Sequence, residues 1–258
     1  MPRSRQRPRR VGRLAPELAI VYSSGVARRG LRAVESPTLD LAVLARLRDA
    51  IVHGEIPPGG RINQLRTAHH LGVSRGPVRA AMAKLAQEGL VENVPRRGSF
   101  TTTLDRSTVV DVYGVREALE SFAAAEAASR VTPEAVDELQ RRIERMRTLA
   151  ARKDVLRLVD ADLDFHRRVV ELSGNRQIAY LWKITEVNIR RILLFRQNAL
   201  STLRDVPESH LPTIGALRRH DSAAAAQTLR THIQEARADL VAHWPDHKDV
   251  ATPRREDT

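Results

Sequence analysis

From Leu104 to Pro245 the chain repeats one pattern: apolar residues at helical spacing, interrupted by short polar or glycine-containing breaks. That pattern predicts helices near 107–128, 133–151, 155–172, 176–200, 207–219 and 222–243. Thr132-Pro133-Glu134 marks one start, a capping hydroxyl followed by proline in the first turn. Ser173-Gly174-Asn175 and Asp221-Ser222 mark breaks between others. Helices joined by such short connections must fold back on one another, so residues 104–245 are expected to form an antiparallel helical bundle.

Residues 36–103 read differently. Leu39, Leu41, Val43, Leu44, Leu47, Ile51 and Val52 form a helical stripe that Gly54 ends, and Pro57-Pro58-Gly59-Gly60 is a turn. Asn63 caps a short helix to about His70, and Leu71-Gly72-Val73 turns the chain. Ser74 is a suitable N-cap for a helix Arg75–Glu88 that buries Val78, Met82 and Leu85, with Gly89 as its left-handed stop. Leu90–Asn93 and Phe100–Thr103 flank Pro95-Arg96-Arg97-Gly98 as two short strands around a basic turn. The expected fold class is therefore mainly α: an N-terminal winged helix-turn-helix at 36–103, then the all-α bundle at 104–245.

Charge is distributed unevenly along this layout. The net +12 falls as +7 on residues 1–35, +4 on 36–103, +2 on 104–245 and −1 on 246–258. Residues 1–35 are rich in Arg, Pro and Gly without lasting periodicity and are read as a disordered basic arm; 246–258 is a polar tail. A basic front end implies a polyanionic partner, and the balanced rear implies another task. Aromatics make up only 3% of the chain, which argues against single-strand binding by base stacking. The absence of cysteine excludes disulfides, thiolate zinc sites and a thiol nucleophile. No apolar run is long enough to span a membrane, and no signal-peptide core follows the basic start, so a cytoplasmic protein is expected.

A helix that starts at Ser74 offers its first turn to the DNA major groove. Arg75 and Arg79 lie on one face of it, where a guanidinium can give guanine O6 and N7 two hydrogen bonds. Arg96 and Arg97 at the wing tip suit a minor groove or phosphate, and Gly98 allows close backbone approach. Arg66 on the bracing helix is read as a phosphate contact.

Asp162 and His166 are four apart and share a helix face beside Leu163, Phe165 and Val169. With His210 and His232 from later helices they would make a set of three imidazoles and a carboxylate. Such a set suits zinc, nickel or another mid-row divalent transition metal and not magnesium or calcium. On residue type alone, His69, His70, His220, His243 and His247 have equal standing, and Asp164 is a competing carboxylate.

Leu47-Arg-Asp-Ala-Ile-Val-His-Gly, Pro58-Gly-Gly-Arg-Ile-Asn, Leu71-Gly-Val-Ser-Arg-Gly-Pro-Val-Arg-Ala-Ala and Leu85-Ala-Gln-Glu-Gly-Leu-Val-Glu resemble the DNA-binding domain of GntR-family transcriptional regulators over roughly 39–103. Leu65 stands where that family frequently has arginine. Tyr113-Gly-Val-Arg-Glu-Ala-Leu-Glu, Ala161-Asp-Leu-Asp-Phe-His-Arg, Ser173-Gly-Asn and His232-Ile resemble the FadR-type (FCD) effector domain over about 107–240. The resemblance implies a bundle of six to seven helices that holds a metal through Asp162, His166, His210 and His232. It further implies a small carboxylic-acid effector, with Arg116 facing it; the other reading of Arg116 is a salt bridge to Glu120. Asn188, Arg190 and Arg191 lie on a helix that could line the same pocket.

The expected function is a metabolite-responsive repressor that binds a palindromic double-stranded operator as a homodimer. Two other classes compete with it: a metal-dependent hydrolytic enzyme fused to a DNA-binding domain, and a nonspecific architectural DNA-binding protein.

Overall fold

The computed structural model describes residues 37–196 and 205–245. The basic arm at 1–35, residues 197–200 of the fourth bundle helix and the tail at 246–258 lie outside the described residues. The elements run α1 (Pro37–Val52), β1 (Arg61–Ile62), α2 (Gln64–Leu71), α3 (Arg75–Gln87), β2 (Val91–Val94) and β3 (Gly98–Thr101). Then come α4 (Arg106–Ala128), α5 (Pro133–Ala151), α6 (Val155–Leu172), α7 (Arg176–Phe195), α8 (Leu211–Arg218) and α9 (Ser222–Ala242). No helix among the described residues is long and apolar enough to cross a membrane.

The first six elements make the winged helix-turn-helix. Asn63 caps α2 by accepting from the Leu65 and Arg66 amides, and Gly72 closes it in the left-handed region at φ 65°. Val78, Met82 and Leu85 of α3 are buried against Val43, Leu47 and Ile51 of α1. Arg48 Nε and Nη2 donate to Glu88 at 2.9 and 2.6 Å, tying α1 to the end of α3.

Three local expectations need correction. Ser74 stands at the N-cap of α3 but makes no side-chain capping bond. The helix ends at Gln87, with Glu88 as its C-cap. The strands are 91–94 and 98–101 and not 90–93 and 100–103, because the tight turn brings Val94 opposite Gly98. A third strand, β1, joins the antiparallel sheet in the order β1-β3-β2. Two residues are too short for a periodicity to show.

The bundle is organised around α4, which packs on α6, α7, α8 and α9, most extensively on α9. Leu139, Ile143 and Met146 from α5 and Leu163, Phe165 and Val169 from α6 are fully buried in its core. The helix drawn at 207–219 is instead a 3₁₀ turn at Glu208–His210 that runs into α8, with Pro212 in the first turn.

Candidate metal centre and nucleic-acid interface

Asp162 and His166 on α6, His210 at the start of α8 and His232 on α9 converge in the bundle. One ligating atom from each lies within 4.8 Å of all the others. His166 Nε2 is 3.1 Å from His210 Nε2, and Asp162 Oδ1 is 3.2 Å from His210 Nε2 and 3.9 Å from His166 Nε2. Asp162, His166 and His210 are buried, and His232 lines a cavity beside them.

The outer nitrogens define what the inner ones can do. His166 Nδ1 lies 2.5 Å from Glu120 Oε2, and His210 Nδ1 lies 2.7 Å from the Val206 carbonyl. A carboxylate and a carbonyl only accept, so both Nδ1 atoms carry the proton and both Nε2 atoms present lone pairs. Two lone pairs and a carboxylate oxygen thus face one another at separations of 3.1, 3.2 and 3.9 Å with no donor between them. That is the arrangement a cation satisfies: metal–nitrogen bonds of about 2.0–2.1 Å put neighbouring ligand atoms about 3 Å apart. The donor set therefore fits a mid-row divalent metal, and Glu120 stands where an outer partner would orient the His166 ring.

Burial favours the neutral form at two of the imidazoles. Burial pushes His166 and His232 below the ordinary histidine value, the second strongly. Burial pushes the Asp162 carboxyl up, but the imidazoles beside it and the Arg116 guanidinium outweigh this and hold it well below the carboxylate range. Glu120 is likewise raised by burial and pulled down further by His166 and Arg116, to about 2.

Glu120 organises more than the histidine. Its Oε1 accepts from Arg116 Nε at 2.9 Å and from Trp182 Nε1 at 2.7 Å. Arg116 pairs with Glu120 and lines a cavity of about 280 Å³, and among the described residues its buried Nη2 has no hydrogen-bond partner. Tyr113 lines the same wall with its ring 5.2 Å from the Arg116 guanidinium, and among the described residues its buried Oη has no hydrogen-bond partner; Asp162 and His232 line that cavity too. Asp205, Glu235 and Asp239 occupy the same cavity's lining.

The competing residues are used elsewhere. Asp164 pairs with Arg142 and Arg167 at 3.0 Å each, and His220 Nδ1 meets the Ala128 carbonyl at 2.9 Å. Asn188, Arg190 and Arg191 are not at this cavity, contrary to expectation. Arg190 pairs with Asp160 on the bundle surface. Asn188 donates to the Glu88 carbonyl at 3.0 Å, and Arg191 donates to Thr102 Oγ1 and O at 2.7 and 2.6 Å. Asn188 and Arg191 are three residues apart and share the face of α7 that meets the winged helix.

On the winged helix, Arg66, Ser74, Arg75, Arg79, Arg96, Arg97 and Gly98 are all exposed. Among the described residues none of these five arginines forms an ion pair, so their charges are available to phosphates or base edges. Arg97 lies over the Phe100 ring at 5.8 Å, which orients it at the wing. Gly98 has φ 109°, a conformation open to glycine, and its Cα faces the Arg61 side chain. Arg61, on β1, is an exposed cation beside the wing that sequence reading missed, because nothing marked its strand. Glu120 and Tyr113 were also missed as site residues; the only signal was the i,i+4 spacing of Arg116 and Glu120.

Two family descriptions match the chain: "Bacterial regulatory proteins, gntR family" over residues 39–101 and "FCD domain" over 111–235. It is 30% identical to a "Probable D-xylose utilization operon transcriptional repressor" of Paenarthrobacter nicotinovorans, over 74% of this chain and 85% of that one. It is 29% identical to the "HTH-type transcriptional repressor RspR" of Escherichia coli, over 73% of this chain and 83% of that one. The fold is similar to the solved structure of E. coli McbR/YncC, with a TM-score of 0.69 at 22% identity over 81% of this chain and all of that one. These relatives are transcriptional regulators and not enzymes. The chain belongs to the GntR family of bacterial regulatory proteins, in the group that carries an FCD domain, and is a DNA-binding transcriptional regulator.

Proposed function

We propose that this regulator is a repressor released from a palindromic operator by a small carboxylate, which binds in the helical domain beside a divalent transition metal. Asp162, His166, His210 and His232 would hold the ion, with zinc or nickel the best match to three imidazoles and one carboxylate. A bound ion would supply a Lewis-acid anchor for a carboxylate oxygen. The observation that carries the reading is the pair of buried, unpartnered donors, Tyr113 Oη and Arg116 Nη2, on the wall shared with Asp162 and His232. An anion there would satisfy both. Asp205, Glu235 and Asp239 on the same lining disfavour a second carboxylate, so a monocarboxylate is favoured over a dicarboxylate.

Arg75 and Arg79 would read base edges, with Arg66, Arg96, Arg97 and the Gly98 backbone on phosphates or the minor groove. Two copies would place their recognition helices about one DNA turn apart. Val115, Ala118, Leu119 and Phe122 form an i, i+3, i+4, i+7 apolar stripe on α4, and Val115 and Phe122 are about half exposed. A second copy covering that stripe gives the homodimer. The working compartment is the cytoplasm, where operator DNA is.

The test is operator binding by fluorescence anisotropy with the zinc-loaded protein and a panel of small monocarboxylates. An acid that binds should weaken operator affinity, and Arg116→Gln should remove that response. An acid that binds at Arg116 but leaves operator affinity unchanged refutes release. Equal competition by random DNA at physiological salt would instead favour the architectural reading.

A further inference from the structure

Arg191 is a second buried guanidinium, and its surroundings differ from those of Arg116. It is 2% exposed, its two bonds go to neutral oxygens of Thr102, and among the described residues its Nε has no partner. Among the described residues no carboxylate pairs with it. Burial alone lowers its pKa, to about 10, so it remains charged at neutral pH. A buried charge without a counter-ion is costly and usually marks something that neutralises it.

Arg191 lines a cavity of about 440 Å³ between the winged helix and the bundle. Ile51, Val52 and Leu104 form one side, and Leu194 and Phe195 the other. The mouth is open at His53 and Leu156, both exposed. The volume lies within the range of about 300–1,000 Å³ typical of small-molecule pockets. The walls are mostly apolar, with the His53 imidazole among them, and Arg191 supplies a single fixed positive charge.

We propose that this cavity is a second ligand site, separate from the metal-side cavity, that takes an apolar monocarboxylate. The carboxylate would bind the Arg191 guanidinium through Nε and a neighbouring Nη, a planar two-point match. The hydrocarbon would lie against Val52, Leu104, Leu194 and Phe195. One positive charge balances one carboxylate; a doubly charged phosphate would carry an uncompensated charge into apolar walls. Such a ligand touches the winged helix and the bundle at once.

Calorimetric titration of the zinc-loaded full chain with benzoate, octanoate and the neutral isostere benzamide tests this. The two acids should bind and benzamide should not. Arg191→Gln should weaken acid binding by about tenfold or more, the loss expected for a charge-assisted two-point contact. Leu156→Trp fills the mouth from an exposed position and should block binding with Arg191 intact. Arg116→Gln should leave this binding in place, which separates it from the metal-side cavity. The proposal fails if neither acid binds, if benzamide binds as well as benzoate, or if binding survives both Arg191→Gln and Leu156→Trp. It also fails if Arg116→Gln alone abolishes binding. Should Arg191→Gln not fold, the Leu156→Trp result decides.

Discussion

Replacing Glu120 by glutamine keeps the shape of the side chain and removes one acceptor. Three donors converge on this carboxylate: Arg116 Nε and Trp182 Nε1 on Oε1, and His166 Nδ1 on Oε2. The glutamine oxygen can keep the Arg116 and Trp182 pair, but its NH₂ then faces the His166 Nδ1 proton. Two donors 2.5 Å apart repel. The simplest relief moves the imidazole proton to Nε2, the atom that faces His210 and Asp162. A proton on that atom occupies the lone pair a metal would use.

Loss of the carboxylate partner of a ligating histidine costs about 10–100-fold in metal affinity, or about 1.4–2.7 kcal/mol. A separate effect acts on the metal-free protein, because a neutral glutamine leaves the buried Arg116 charge uncompensated; such losses cost about 3–5 kcal/mol. Zinc affinity measured by competition with a chromophoric chelator, and urea unfolding in excess chelator, read the two effects independently. A folded Glu120→Gln protein whose zinc affinity stays within about twofold of the parent would refute the orienting role assigned to Glu120.

Other outcomes follow from the same geometry. Asn63→Ala should cost about 1 kcal/mol in urea unfolding, since its side chain caps α2; Ser74→Ala should change stability by under about 0.5 kcal/mol, since its side chain caps nothing. Leu85→Ala should cost about 2–5 kcal/mol, because the side chain is fully buried in the winged-helix core, and a smaller loss would mean the site collapses around the gap. Arg79→Ala should weaken operator binding by about 1–3 kcal/mol and relax specificity at the base it reads. Arg97→Ala should weaken all sequences alike and lower the salt slope of binding by about one. The reverse pattern, read by anisotropy against salt, would exchange their roles.

Much of the architecture was legible in residue order. The caps at Asn63 and Thr132 stand where helices begin, because a cap acts on amides two or three residues away; Asn175 and Asp221, read only as breaks, cap helices as well. Gly72 and Gly89 stop helices by the same short-range logic, each with positive φ. Ser74 misled at the level of the bond: the residue type suits a cap, but the rotamer is chosen by its surroundings. Asp162 and His166 could be paired from spacing, since four residues span one helical turn.

Local order stops short at longer range. His210 and His232 meet His166 from 44 and 66 residues along the chain, and only the packing of α6, α8 and α9 around α4 brings them there. The same is true of Glu120 under His166, of Arg191 reaching Thr102 across 89 residues, and of the cavity that leaves its Nε unsatisfied. Helix periodicity and capping are determined within a turn or two by backbone geometry, so residue order specifies them. Which polar side chains share one buried space depends on how whole helices stack, and that is decided when the core closes.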